Sequence, residues 1–320
     1  MLRNYFTIAW RSLKRQPIFT TINIVGLAIG LSAVYLMTLF IWDEYRMNAW
    51  VKNSDRHFFI ESEWKEGRNG LEIVSLAPIG RSLKENYPYL VANYFTVHAR
   101  SCNASVPESK RSFRLNLQVF DGELIQPYGI PLLHGDASKV FDHPSGIVIQ
   151  RDVAKKFFGK TDVIGEELVL ETENGEYDPK GKKSFVVTGV IDQIPENSIM
   201  DNLGDRTDVY IGRDNVPYYG PENMWDRWDV NIVQTRIELK EAVKPEDLIQ
   251  PINSLIQRNA PDHISEFMTA KLTPLHDYNI HQNNGARGKM IKILMVITIF
   301  ILLVAIMNFV NLSLGMADKR

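Results

Sequence analysis

Three places in this 320-residue chain hold residue types that do chemistry elsewhere. Phe158-Gly159-Lys160-Thr161 imitates the end of a phosphate-cradling loop. The G-x-x-x-x-G-K-[ST] pattern, however, puts its first glycine at Ala154, and the residues before Gly159 read as helix where such a loop must follow a strand. A glycine closing a helix is the expectation. His276 and His281 flank Asp277, but a metal pair on a helix needs i, i+4 spacing and further convergent ligands. Hydrogen-bonded surface or core histidines are expected there. The single cysteine, Cys102, cannot close an internal disulfide and is expected to be structural. No Ser/His/Asp set or carboxylate pair stands out by spacing. We therefore assign no catalytic, cofactor-binding or metal-ligating residue, and the chain is expected not to be an enzyme.

A different chemistry, that of helices meeting in lipid, has clearer candidates. Gly26-Leu27-Ala28-Ile29-Gly30 is a G-x-x-x-G with Ala33 and Val34 continuing the same side, a flat strip where another helix backbone can approach. Asn308 and Asn311 lie one turn apart in a second apolar block. Unpaired amides in lipid are costly, so they are expected to bond to another helix. Two spans offer few partners, so the chain is expected to oligomerise, as with a second copy, or to work with further spans.

Both features sit in apolar blocks, roughly residues 19–42 and 291–314, and each block contains a stretch of about 20 uncharged residues, long enough to cross about 30 Å of hydrocarbon. Before the first block, Leu2, Phe6, Ala9, Trp10 and Leu13 recur at helical spacing. Arg3, Arg11, Lys14 and Arg15 lie mainly elsewhere on the wheel, so this basic amphipathic helix is expected to lie on an anionic lipid surface. Pro17 separates it from the span. Positive charge before the first span and Asp43-Glu44 after it place the N-terminus in the cytoplasm and the middle outside. Arg287, Lys289 and Lys292 run against the positive-inside tendency, which is weak beside long translocated domains. With both ends basic, the chain total of −2 leaves the middle strongly acidic, which excludes nucleic acid as a partner.

The middle carries strand signals at residues 57–63, 91–100, 232–239 and 267–275. In the third, Val233, Thr235, Ile237 and Leu239 alternate with Gln234, Arg236 and Glu238, the period of a sheet with one wet face. A helix is expected at 78–86, and another at 245–257 with Leu248, Ile249, Ile252, Leu255 and Ile256 on one face and a kink or late start at Pro251. The result is strand-helix-strand twice, around an insertion with strands at 113–120 and 147–150, a helix at 151–158, and a hairpin of 167–173 with 185–191. The fold class is α+β: a two-lobed extracytoplasmic domain, a split strand-helix-strand lobe with an inserted α+β lobe, flanked by two transmembrane helices. The divisions are residues 1–17, 18–42, 43–288 (lobe one 43–102 and 229–288, inserted lobe 103–228), 289–316 and 317–320.

The start MLRNYFTIAWRSLKRQPIFTTINIVGLAIGL resembles the MacB/FtsX-type ABC transporter permeases. The resemblance continues in order through LAPIGRSLKENYP, GIPLLHGDASKVFDHPSGIVIQRDVAKKFFGKTDVIGEEL, FVVTGVIDQIPENS, LTPLHDYNIH and MNFVNLSLGMADKR. It implies a periplasmic core domain at about 43–288, location in the bacterial inner membrane, and a separate ATP-binding ABC subunit whose hydrolysis drives periplasmic movement for export or efflux. Peptides, lipoproteins or drug-like molecules are the substrates it implies, with a periplasmic or outer-membrane partner. Family permeases continue past this point into a coupling segment and more spans, so a fragment of a longer permease is expected. The alternatives are a two-span extracytoplasmic sensor or scaffold, an FtsX-like activator of cell-wall enzymes, and a membrane-tethered enzyme, which would show converging titratable groups in a pocket.

Overall fold

The computed structural model describes residues 17–65, 73–109, 111–172, 181–192, 194, 198, 206–218 and 223–317, without the side chains of 19, 172, 216–218, 279, 281–284 and 311–317. It has two compact units: Met47–Tyr278, and the terminal segments Met1–Arg46 with Asn279–Arg320.

The terminal unit is built from helices α1 (Pro17–Tyr45) and α7 (Tyr278–Ala317). Pro17 suits the first turn of α1, where its missing N–H has no intrahelical partner to lose. Thr20–Tyr45 and Gly285–Val310, 26 residues each, are long and apolar enough to cross a membrane. Ile22, Leu36, Val296 and Phe300 are among many large apolar side chains left exposed on them. A water-soluble fold would bury such residues. Helix α7 begins at Tyr278 instead of near 289. Within its polar first turns Gly285 takes φ +71°, and a Cβ on Gly288 would come within 2.9 Å of the Ile280 carbonyl oxygen. The chain therefore folds closely on itself before the regular span, a conformation that suits glycine.

Met47–Tyr278 holds one ten-stranded sheet. Strands β1 (His57–Trp64), β2 (Val91–Ser105), β9 (Gln234–Leu239) and β10 (Met268–Pro274) lie side by side in the order β10-β1-β9-β2, with every neighbouring pair antiparallel. Helix α2 (Ile79–Asn86) links β1 to β2 and α5 (Glu246–Asn259) links β9 to β10. Each crossover skips one strand, so the two strand-helix-strand units interlock, the ferredoxin-like arrangement. Their apolar stripes drive this: Ile79 and Leu83 of α2 and Leu248, Ile252, Leu255 and Ile256 of α5 bury against Phe58, Ile60, Ile237 and Leu239. Pro251 neither delays nor ends α5, which runs from Glu246 through it.

The inserted residues add β3 (Phe113–Gly122), β4 (Leu132–His134), β5 (Gly146–Gln150), β6 (Glu167–Thr172), β7 (Lys182–Ile191) and β8 (Val209–Gly212) to the same sheet. Short helix α3 (Ile125–Tyr128) follows β3, α4 (Arg151–Phe158) follows β5, and α6 (Asp262–Ser265) precedes β10. A dry core forms around Leu115, Leu117, Ile147, Val153, Phe185 and Val209. The two lobes thus share a sheet, and the division placed at 102/103 falls inside β2. That strand pairs with β9 over its first half and with β6 from Cys102 to Ser105, so a single strand serves both lobes.

The expected wet face of β9 does not exist. All six of its residues are buried, Arg236 completely, because the strand is central and both faces are covered. The Arg236 guanidinium lies 5.0 Å from the Phe59 ring centroid and 5.5 Å from that of Phe95, its cross-strand neighbours. Flat, weakly hydrated and always charged, a guanidinium stacks on aromatic rings where an ammonium would demand water. Glu238 next to it accepts hydrogen bonds from Asn53 (3.0 Å), Arg56 (3.0 Å) and Asn93 (2.7 Å).

Candidate functional site: the paired apolar helices

The less exposed positions of α1 include Thr20, Asn23, Leu27, Gly30, Ala33, Val34, Met37, Ile41 and Glu44, and those of α7 from Ile291 onward are Ile291, Leu294, Met295, Thr298, Ile301, Ala305 and Asn308. Spacings of three and four residues put each set on one stripe of its helix. The stripes face each other in antiparallel register. Near the start of α1, an added Cβ on Gly26 would lie 3.3 Å from Asn308 Nδ2, and one on Gly30 would lie 3.3 Å from Ala305 Cβ. Midway, Thr298 Oγ1 is 3.3 Å from Met37 Sδ and donates to its own helix at the Leu294 carbonyl (2.7 Å). At the far end Arg287 grips Glu44, Nη2 to Oε1 at 2.8 Å and Nε to Oε2 at 3.1 Å.

Each contact solves a problem posed by lipid. The Asn308 amide donates to the Asn23 carbonyl at 3.1 Å. A helical carbonyl keeps a second lone pair after its own i+4 bond, and that lone pair is reachable only where the next turn has no side chain in the way. Gly26, three residues on, is that gap. Gly30 against Ala305 lets the backbones approach, so dispersion contacts replace a hydrophobic force that lipid does not supply. The Glu44 carboxylate is buried and would be prohibitively costly alone, but the two-pronged arginine bond satisfies both of its oxygens.

Of the residues singled out by sequence, the structure brings together Gly26, Gly30 and Asn308. The side chain of Asn311, and the basic segment with Arg3, Trp10, Arg11, Lys14 and Arg15, lie outside the described residues. Glu44–Arg287 was not anticipated, although the signal was present: Arg287 is one of the charges that opposed the positive-inside tendency, and Glu44 stands at the corresponding end of the other span. Paired with Glu44, Arg287 belongs to a neutral unit and adds no net positive charge at that end.

Several titratable residues within Met47–Tyr278 have structural partners. Gly159 takes φ +72° at the end of α4 and donates to the Lys155 carbonyl, closing the helix. His276 faces Asp277 at 3.3 Å, and among the described residues no group of three His, Cys, Asp or Glu converges as for a metal. Cys102 is buried in the apolar core. Asp121 is shared by Tyr94 (3.2 Å), Arg213 (3.3 Å) and Arg81 (4.0 Å), tying α2 and β2 to β3 and the inserted residues. Burial, and next the positive charge of Arg100, pushes His98 down to about 4, so the ring is neutral and its Nδ1–H donates to the Ile232 carbonyl. Burial likewise lowers His57, against the opposing pull of Glu238.

Residues 20–255 match the MacB-like periplasmic core domain family. No curated protein matches the chain in sequence. Among solved structures, a domain described as that of a permease from Porphyromonas gingivalis is similar at TM-score 0.54 and 16% identity, covering 70% of this chain and 92% of its own. The periplasmic region of MacB from Actinobacillus actinomycetemcomitans has TM-score 0.47 and 13% identity, covering 71% and 91%. The extracellular domain of the noncanonic ABC-type transporter YknZ from Gram-positive bacteria has TM-score 0.43 and 12% identity, covering 67% and 99%. At 16% identity the likeness to the first of these speaks to fold alone. The family match extends from within α1 through the sheet into α5, on a chain with two apolar helices bracketing the domain. The chain is a membrane protein that belongs to the MacB-like periplasmic core domain family, of the ABC-transporter permease or FtsX-like kind.

Proposed function

We propose that this chain is the membrane subunit of an ABC transporter of the mechanotransmission type. A separate ATP-binding subunit moves the spans, and the spans move a domain outside the cytoplasm that expels or hands on a peptide, lipoprotein or drug-like substrate. In this reading the protein sits in the bacterial inner membrane, residues 1–17 lie on its cytoplasmic face and residues 43–288 are periplasmic. The observation that carries the proposal is the family match over 20–255 on a chain whose apolar helices are locked to each other at both ends, by Asn308–Asn23 and by Arg287–Glu44. Helices joined this way move together, so a displacement applied at one membrane face is delivered at the other instead of being lost in independent tilting.

The test is purification of the tagged chain from its native membranes with any ATPase subunit bound, followed by measurement of ATP hydrolysis. Association with an ABC ATPase is expected, with hydrolysis stimulated by the membrane subunit. In Gly26→Leu/Gly30→Leu, membrane insertion should persist while the stimulation is lost. Recovery with a kinase or with a cell-wall hydrolase instead, or full stimulation in the double variant, would overturn the proposal.

A further inference from the structure

The Glu44 end of the helix pair carries more positive charge than its helices use. Between residues 43–46 and 287–292 there are four basic side chains, Arg46, Arg287, Lys289 and Lys292, and two acidic ones, Asp43 and Glu44. Arg287 and Glu44 neutralise each other. Lys289 and Lys292 are exposed, and neither has an ion-pair partner among the described residues. Three residues apart on α7, they share a side of the helix, as do the exposed Ile293, Val296 and Phe300 that follow. Both lysines lie within the 26-residue apolar stretch Gly285–Val310, with Lys292 two turns inside its start. An ammonium at that depth must run its methylenes along the helix and place its charge at the headgroup level.

Interfacial markers on α1 point to the same level. Trp42 and Tyr45 are 62% and 48% exposed, and the Arg46 guanidinium lies 5.7 Å from the Trp42 ring centroid. Amphipathic rings collect where hydrocarbon meets headgroups. Because Arg287 pairs with Glu44 in antiparallel register, residue 42 stands close in height to residues 289–292.

We infer that Lys289 and Lys292 form a binding site for the phosphate of an anionic phospholipid at the Glu44 end of the helix pair, with Arg46 adding to its positive field. A zwitterionic headgroup brings its own ammonium and gains little from two more cations. A net-negative headgroup gains about fivefold in occupancy per lysine, since each basic residue at the surface is worth about 1 kcal/mol. The inference rests on the helix pair alone and is independent of transport.

The full chain in mild detergent, exposed to equal amounts of phosphatidylglycerol and phosphatidylcholine with the same acyl chains, is analysed by native mass spectrometry. The background is Arg11→Gln/Lys14→Gln/Arg15→Gln, which removes most of the basic charge at the opposite end of α1. In this background phosphatidylglycerol adducts should exceed phosphatidylcholine adducts by an order of magnitude. Lys289→Gln/Lys292→Gln should erase the excess, and Lys289→Arg/Lys292→Arg should retain it. An excess unchanged by the glutamine pair, or lost equally in the arginine pair, would overturn the site. If the glutamine pair does not fold, Lys292→Gln alone should leave roughly a fivefold reduced excess, and no reduction would overturn it as well.

Discussion

In the sheet domain Phe59, Phe95, Ile237 and Leu239 are closed away, while in the helix pair Ile22, Leu36, Val296 and Phe300 stand open. Polar groups show no such inversion. Arg236 lies between two rings in the domain, Glu238 gathers three donors, and in the helix pair Glu44 and Arg287 hold each other as Asn308 holds the Asn23 carbonyl. Water drives apolar side chains into the domain, and lipid exerts no such drive on the helices. In both solvents an unsatisfied polar group is expensive. The domain can therefore lose one polar contact and still be held by its core, whereas the helix pair depends on a few small and polar residues for its geometry.

The largest effect should come from Arg236. Replacing it with alanine removes a guanidinium packed between Phe59 and Phe95 and should destabilise the domain by about 3–5 kcal/mol. Methionine of similar reach should cost much less, because Glu238 keeps Asn53, Arg56 and Asn93. Denaturant unfolding of the full chain, followed by far-UV circular dichroism, checks both. Equal losses in the two variants would mean that the charge itself, not the packed volume, holds the strand.

His98 comes next. Its folded value of about 4 lies below the ordinary 6.5, so the folded protein keeps it neutral while the unfolded chain takes up a proton. Stability from this group is full above pH 6.5 and is lost progressively as pH falls toward 4, by roughly 3 kcal/mol in all. His98→Phe should flatten that acid limb of the melting curve, and an unchanged limb would assign it to other groups.

Smaller still is the Glu44–Arg287 fork. Glu44→Gln should cost about 1–2 kcal/mol of helix-pair stability, and adding Arg287→Gln should cost little more, since the two residues act as one contact. A double-mutant cycle on thermal unfolding in detergent measures this coupling, and additive losses would show that the fork is not a unit.

How much of this could be read from sequence follows the same division. Both spans were legible because an uninterrupted apolar stretch has few other meanings, and Gly26 and Gly30 because their spacing fixes a common helix face. The interlocked lobe was legible in outline from the period-two and helical stripes of its elements. Glu44–Arg287 was not, since 243 residues separate the partners and spacing says nothing about so distant a contact. The burial of β9 was missed because alternation with Gln234, Arg236 and Glu238 has the same signature whether water or a second layer covers the polar side. Strands β4 and β8, three and four residues long, are too short to show a period at all.

Helices α1 and α7 meet along the Gly30–Ala305 seam. An added Cβ on Gly30 would lie 3.3 Å from the Ala305 Cβ, close to the spacing a disulfide spans. Gly30→Cys/Ala305→Cys should therefore cross-link readily in native membranes under mild oxidation, read as a mobility shift on non-reducing gels. Ile29→Cys/Val304→Cys, at 66% and 44% exposed positions, should not cross-link. No cross-link in the first pair, or equal cross-linking in both, would contradict the packed antiparallel pair.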